Sequence, residues 1–561
     1  MNIKKIKILL ICGVFLFLKV DLYAGAQSII SDINIEPEPK QITFSEELIV
    51  LDGAWRVVVE DELLNIAQIL SQKINEKFKV NIPVEKFSPG MQGKNIVLSL
   101  IQNDSWLEKN GVFSDADQVV IGQQGYILTV SAGKIAIFAN TDRGVFYGVQ
   151  SLLQLFNENN SRLCVPGVTV IDYPDTSVRG IHLCGLDYNT IYKQIDRLAE
   201  LKINMLIFGA WDFFYLDDFK KKMQMEKVFQ YARERYIEPV PEIPGYSHVI
   251  PLLERNPNCA EGRWIKDEKY RFKNNIAEAE PDNKYDLNNV LISDSSSVVL
   301  ISEVTGQIFE PGIDYEIIPA ELSYPYREDN PEIKIKRLVG SRIKDKEVVF
   351  VEYNCVPEDC EWIPYCPSEK ATYEIMFSTI DRVIELLKPK YINIAHDEIM
   401  GINADSRCRK RGLSNAQLLA EDINKIYAYI KMKDSSIKVM MWDDMLNPWH
   451  NGGNENLHLV AGGKKGGTAQ AIKMISKEIS ILLWWYEGND RLEKLSKSPA
   501  FFADYGFEFF VCPWKNKKNI NEWAEISQKE DMCAGIIGTA WEGWDKNLSS
   551  IIYVAKKAWR N

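Results

Sequence analysis

The sequence predicts an α/β fold: a closed (β/α)8 barrel with a small α+β domain before it and a β-rich insertion within it. Three observations carry this. Eight short apolar runs alternate with amphipathic helical text from Gly180 onward, which is the signature of parallel βαβ units. The earlier stretch has strands and helices in a different rhythm, and a third stretch is rich in Val and Ile with no helical period. At 561 residues the chain also exceeds what one hydrophobic core supports, so several folding units are expected. An open doubly wound sheet is the architectural alternative.

The N-terminal text MNIKKIKILLICGVFLFLKVDLYAGA has lysines, an apolar run through Leu18 and the small residues Ala24, Gly25 and Ala26. That is signal-peptide anatomy, and residues 1–26 are read so. The run is short of the roughly 20 apolar residues that a membrane span requires. An exported protein, periplasmic or extracellular and free of the membrane after signal removal, is therefore expected. Cys12 would leave with the signal, and the other nine cysteines are too scattered for a disulfide framework. Cys355, Cys360 and Cys366 cluster, but without the paired CxxC form or a nearby histidine, so no metal site is expected there.

Residues 27–172 read as the α+β domain. DELLNIAQILSQKINEKF has apolar positions at helical spacing, NIVLSL, GYILTV and KIAIFA read as strands, and TDRGVFYGVQSLLQLF reads as a helix beside their sheet. Residues 173–561 read as the barrel. Its candidate strands are GIHLCG, NMLIFGA, EPVPEIP, YINIAHDE, KVMMWDD, ISILLWW, FEFFVCP and GIIGTAW, with helical text such as TIYKQIDRLAELK and YEIMFSTIDRVIELLK between them. Residues 275–365 form the β-rich insertion after the third strand. A formal charge of −12 with 26% charged residues argues against nucleic acid as a partner.

The fourth run ends abruptly in Asp397 and Glu398. Unpaired charge is costly beside a buried strand, and consecutive strand residues face opposite ways. Both acids can meet one ligand only where the strand ends, at the barrel mouth, where barrel enzymes assemble their sites. Later strands deliver Trp442, Trp484, Trp485, Trp514 and Trp541 to the same end. Indole faces pack on the apolar face of a pyranose while polar neighbours bond its hydroxyls.

Those residues carry a resemblance. From about Pro37 to the end the chain resembles glycoside hydrolase family 20, the β-N-acetylhexosaminidase group, through RGVFYGVQSLLQL, VRGIHL, IEPVPEIPGYSH, AHDE, MMWDD and GTAWEGW in that order. The resemblance implies a retaining, substrate-assisted hydrolysis of terminal β-linked N-acetylhexosamine, in which the substrate's own 2-acetamido oxygen is the nucleophile. It implies Glu398 as acid and base, and Asp397 as the anion that holds the acetamide N–H. It implies Arg179, His248, Trp442, Trp485, Tyr486, Trp541 and Glu542 as substrate-binding residues, an N-acetylhexosamine glycan as partner, and no cofactor or metal. His396 stands where many relatives carry glycine, and CGLDYNT and CPWKNKKN depart from the family pattern, as in a divergent branch.

Three rivals are kept. Asp443 and Asp444 could be the acid pair of another barrel glycosidase. His182, His248 and His396, on three strands, could hold a catalytic metal. A barrel that binds glycans without turnover is the third.

Overall fold

The computed structural model describes residues 35–88, 91–101, 121–159, 162–294, 297–357, 363–451, 467–486 and 491–560. The signal-peptide reading of residues 1–26 and Cys360 lie outside them. Among the described residues, no helix is long and apolar enough to cross a membrane.

The first domain is a mixed sheet carrying the helices Leu64–Phe78 and Asp142–Leu155. Strand alternation divides its side chains cleanly. Ile135, Ile137 and Ala139 join the helices in the main core, while Ala136 and Phe138 enter a small cluster on the other face. The Thr141 side chain accepts the Gly144 amide at 3.2 Å and starts the second helix. Close approach explains that helix's RGVFYG text. A Cβ on Gly144 would sit 2.4 Å from the Gly125 carbonyl oxygen, and one on Gly148 would sit 2.5 Å from Ile137 Cγ2.

The barrel strands are, in order, Val178–Cys184, Met205–Gly209, Glu238–Gly245, Tyr391–Ala395, Lys438–Trp442, Ser480–Leu483, Phe509–Val511 and Cys533–Ala540. All eight candidate runs are represented. They pair parallel and close, the eighth against the first. Met205, Ile207, Val240, Met440, Trp442, Leu482, Phe510 and Ile537 fill the interior, and the alternate residues Leu206, Phe208, Val439, Met441, Leu483, Phe509 and Val511 face the helices.

The same alternation corrects the reading of Arg179. Val178 belongs to the interior cluster, so Arg179 points outward at the strand's start, far from the mouth. It is fully buried there. Its guanidinium donates to the carbonyls of Lys202 (2.9 Å), Thr176 (2.8 Å) and Ser177 (3.2 Å), to Gln124 Oε1 (3.0 Å) and to the Tyr147 hydroxyl (3.2 Å), and it lies over the Trp559 ring. Burial lowers it to about 10, which leaves it cationic at neutral pH. It seals the barrel base against the first domain. Arg179→Met should therefore destabilise the fold by about 3 kcal/mol in urea titration, because several buried acceptors lose their donor. The folded fraction should keep its KM.

Between the third and fourth barrel strands lies a seven-stranded antiparallel sheet with its own core, including Phe272, Leu300, Ile335, Val351 and Tyr353. It begins at Arg263 rather than at residue 275. Arg263–Lys273 pairs antiparallel with Val348–Cys355, and its charged text RWIKDEKYRFK hides that strand from a composition-based boundary.

Candidate active site

The two turns that leave strands three and four build the site. After strand four the backbone enters the left-handed region at Ala395 (φ 55°), His396 (φ 62°) and Glu398 (φ 49°), and after strand three it does so at Tyr246 (φ 64°) and His248 (φ 56°). Non-glycine residues rarely hold this conformation, and they do so chiefly where surrounding structure fixes a functional geometry. His396 is turned away from the mouth and fully buried. Its Nδ1 donates to the Ile394 carbonyl at 2.7 Å and its Nε2 lies 2.9 Å from Asp422, which also accepts from the hydroxyls of Tyr365 and Tyr373. Strand three must give way to this ring. A Cβ on Gly245 would meet His396 Cε1 at 2.3 Å.

Asp397 and Glu398 are thereby brought to one imidazole. His248 Nε2 lies 3.6 Å from Asp397 Oδ2 and 3.5 Å from Glu398 Oε2. All three side chains remain partly open, at 14% for Asp397, 21% for Glu398 and 29% for His248. Burial pushes Asp397 up to about 6 despite the pull of His248, with the Glu398 and Glu242 charges adding to the rise. Burial acts the other way on His248, but the Asp397 and Glu398 carboxylates prevail and hold it at about 9. At neutral pH the trio is an imidazolium between acids.

If ionised Asp397 is required, the acidic limb of kcat/KM should fall near pH 6, as a property of the coupled pair. His248→Gln removes the cation that favours the carboxylate, so that limb should move up by roughly one unit. A pH–rate profile of both proteins reads this directly.

Asp443 and Asp444 close strand five beside the site but are held as supports. Asp443 Oδ1 accepts the Trp484 amide at 3.1 Å and Oδ2 accepts Asn447 Nδ2 at 2.6 Å. Asp444 Oδ2 accepts the Glu398 amide at 2.8 Å and Asn451 Nδ2 at 3.0 Å. Burial pushes Asp443 up to about 7 and, with the nearby Asp397 charge, pushes Asp444 well above the carboxylate range. Neither side chain is open to a substrate. Asp444 pins the backbone of Glu398 instead, and Asp443 that of Trp484.

Aromatic rings line the remaining rim. Trp541 Nε1 donates to the Tyr486 hydroxyl at 2.9 Å, Tyr486 lies 5.2 Å from both the Trp484 and the Trp514 rings, and Trp541 covers the buried Trp442 at 5.4 Å. Trp485 is not among them. In ISILLWWY the interior residues are Leu482 and Trp484, so alternation sends Trp485 into the outer core, where it packs on His450 at 4.5 Å. Trp484 takes the place expected of it. Glu542 is exposed and paired with Lys515 Nζ at 2.5 Å, which lowers its carboxyl.

Residues 32–173 match the family described as Glycosyl hydrolase family 20, domain 2. The chain is 27% identical over 266 residues to a Porphyromonas gingivalis beta-hexosaminidase, covering 41% of this chain and 32% of that protein. It is 26% identical over 261 residues to a Bifidobacterium bifidum lacto-N-biosidase, covering 42% of this chain and 20% of that protein. The matched regions are thus less than a third of either relative's length. A crystal structure of a Bacteroides fragilis beta-N-acetylhexosaminidase superposes with a TM-score of 0.56 at 14% identity, over 94% of this chain and 90% of that one. The first domain thus matches a family 20 domain, and the chain as a whole shares its fold with beta-N-acetylhexosaminidases of that family.

One polar group of the site has no counterpart in the sequence reading. Glu242, on strand three, accepts Asn393 Nδ2 of strand four at 2.6 Å and lies 3.1 Å from His182 Nε2 of strand one. A glutamate between two prolines in PVPEIPG, with Asn393 mid-strand in YINIA, was the available signal. Its carboxylate contributes to the rise of Asp397. The three-histidine metal reading loses its geometry here. His182 faces Glu242, His248 faces the acid pair, and His396 faces Asp422 outside the barrel.

Proposed function

We propose that the protein is an exported glycoside hydrolase, periplasmic or extracellular, that removes terminal β-linked N-acetylhexosamine from glycans with retention and with the substrate's acetamide as nucleophile. One observation carries the reading: adjacent carboxylates at the end of barrel strand four share one imidazolium beneath a rim of aromatic rings. The donor atoms of Asp397, Glu398 and His248 lie within 4.8 Å of one another. That is well short of the roughly 6.5–9.5 Å that inverting enzymes leave for a water between their acids. The basic and apolar N-terminal text supports export.

In the first step the acetamide oxygen bonds to the anomeric carbon as the glycosidic C–O bond breaks, and Glu398 gives its proton to the departing oxygen. Asp397 accepts the acetamide N–H and stabilises the positive charge of the oxazolinium ring. In the second step Glu398 takes a proton from water, which bonds to the anomeric carbon and reopens the ring. The His248 imidazolium favours the anionic form of Asp397, and its Nε2 lies 3.5 Å from Glu398 Oε2. Trp484, Tyr486 and Trp541 supply the apolar wall for the pyranose.

The decisive comparison is p-nitrophenyl N-acetyl-β-glucosaminide against the corresponding β-glucoside. Release of nitrophenol from the first alone is expected. Equal release from both would overturn substrate assistance, because the glucoside has no amide to participate.

A further inference from the structure

Away from the acids, three distant segments meet in a buried cluster. Glu261 follows the third-strand turn, Cys366 precedes the helix Lys370–Leu387, and Asp405 and Cys408 follow the Asp397–Glu398 turn. Each offers one donor atom, and among the described residues these four atoms lie within 4.8 Å of one another. All four residues are buried. Cys366 Sγ is 3.6 Å from Cys408 Sγ, Cys408 Sγ is 3.2 Å from Glu261 Oε2, and Cys366 Sγ is 4.0 Å from Asp405 Oδ1. Bond lengths of about 2.3 Å to sulfur and 2.0–2.2 Å to oxygen place the corners of a tetrahedral zinc site roughly 3.3–3.8 Å apart. These three edges, 3.2–4.0 Å, bracket that range, and the other three stay within 4.8 Å.

The carboxylates are also oriented from behind, as metal-binding carboxylates are. Glu261 Oε1 accepts the amides of Ala404 (2.8 Å) and Asp405 (3.2 Å), which leaves Oε2 toward the thiols. Arg407 holds Asp405 Oδ2 through Nε at 2.9 Å and reaches Glu369 at 3.1 Å. A thiol is a weak hydrogen-bond donor, so two of them are poor company for two buried carboxylates. A divalent cation at the centre, with the Arg407 guanidinium on Asp405, would offset most of the charge of the four ionised ligands.

We propose that Glu261, Cys366, Asp405 and Cys408 form a closed structural site for one divalent cation of the zinc class, bound by two thiolates and two carboxylates. Mixed sulfur and oxygen donors suit a borderline-soft ion, and four protein donors leave no position open for catalysis. The ion ties the segment carrying Asp397 and Glu398 to the one carrying His248. No spacing motif announces it, because three segments far apart in sequence supply the donors.

The test does not depend on hydrolysis. Full-length protein produced with zinc and dialysed should retain about one zinc per chain, and the Cys366→Ser/Cys408→Ser double variant less than about a tenth. Zinc-stripped wild type titrated with cobalt(II) should show thiolate-to-metal charge-transfer bands and tetrahedral visible absorption, a readout that needs no variant to fold. Wild type that binds neither zinc nor cobalt would overturn the proposal. So would a Cys366–Cys408 disulfide found by peptide mass spectrometry in the untreated protein.

Discussion

Glu398→Gln should lower kcat on p-nitrophenyl N-acetyl-β-glucosaminide by about a thousandfold, with little change in KM or melting temperature. Glutamine keeps the shape of the side chain and leaves the backbone amide on Asp444, so the turn is preserved. What it loses is the ability to give a proton to the leaving oxygen and to take one from water, a role worth about 10²–10⁴-fold. Nitrophenolate departs readily without help. The loss should therefore be larger on an unactivated disaccharide, where protonation matters in the first step, and comparison of the two substrates separates acid from base function. Activity that survives Glu398→Gln would return the chemistry to Asp443 and Asp444, whose buried carboxylates offer no such access.

The sequence showed which strands exist better than it showed which way their side chains point. All eight barrel runs were visible because parallel strands buried on both faces read as continuous apolar text. That continuity is also why the facing was lost. In VRGIHL and ISILLWWY nothing local distinguishes the interior residue from its neighbour, so Arg179 and Trp485 read as site residues although pairing and packing place them outward. Asp397 and Glu398 were legible because two charges at a strand end break the apolar pattern. The left-handed turn that brings both to His248 is fixed by tertiary packing, with His396 filling the space that Gly245 leaves. The insertion's first strand and the thiol–carboxylate cluster were hidden for a related reason. Each depends on pairing between segments far apart in the chain, which no local period encodes.

Asp397→Asn is expected to trade activity against stability. Loss of the anion that accepts the acetamide N–H and faces the oxazolinium charge should cost about 10²–10³-fold in kcat, comparable to removing one preorganised transition-state partner. The stability change has the opposite sign. Asp397 is raised to about 6 in the folded protein, above its unfolded value, so folding favours its proton. The stability that this confers is complete below the unfolded carboxylate range and is lost as pH rises through about 6. At pH 8 the native state therefore carries an ionised group that it disfavours by roughly 1–3 kcal/mol, and the neutral amide relieves that cost. Urea titrations should show Asp397→Asn more stable than wild type at pH 8, with the advantage vanishing near pH 4. A variant equally inactive but destabilised at both pH values would mean that Asp397 holds the turn together rather than acting as the charge set against the reacting sugar.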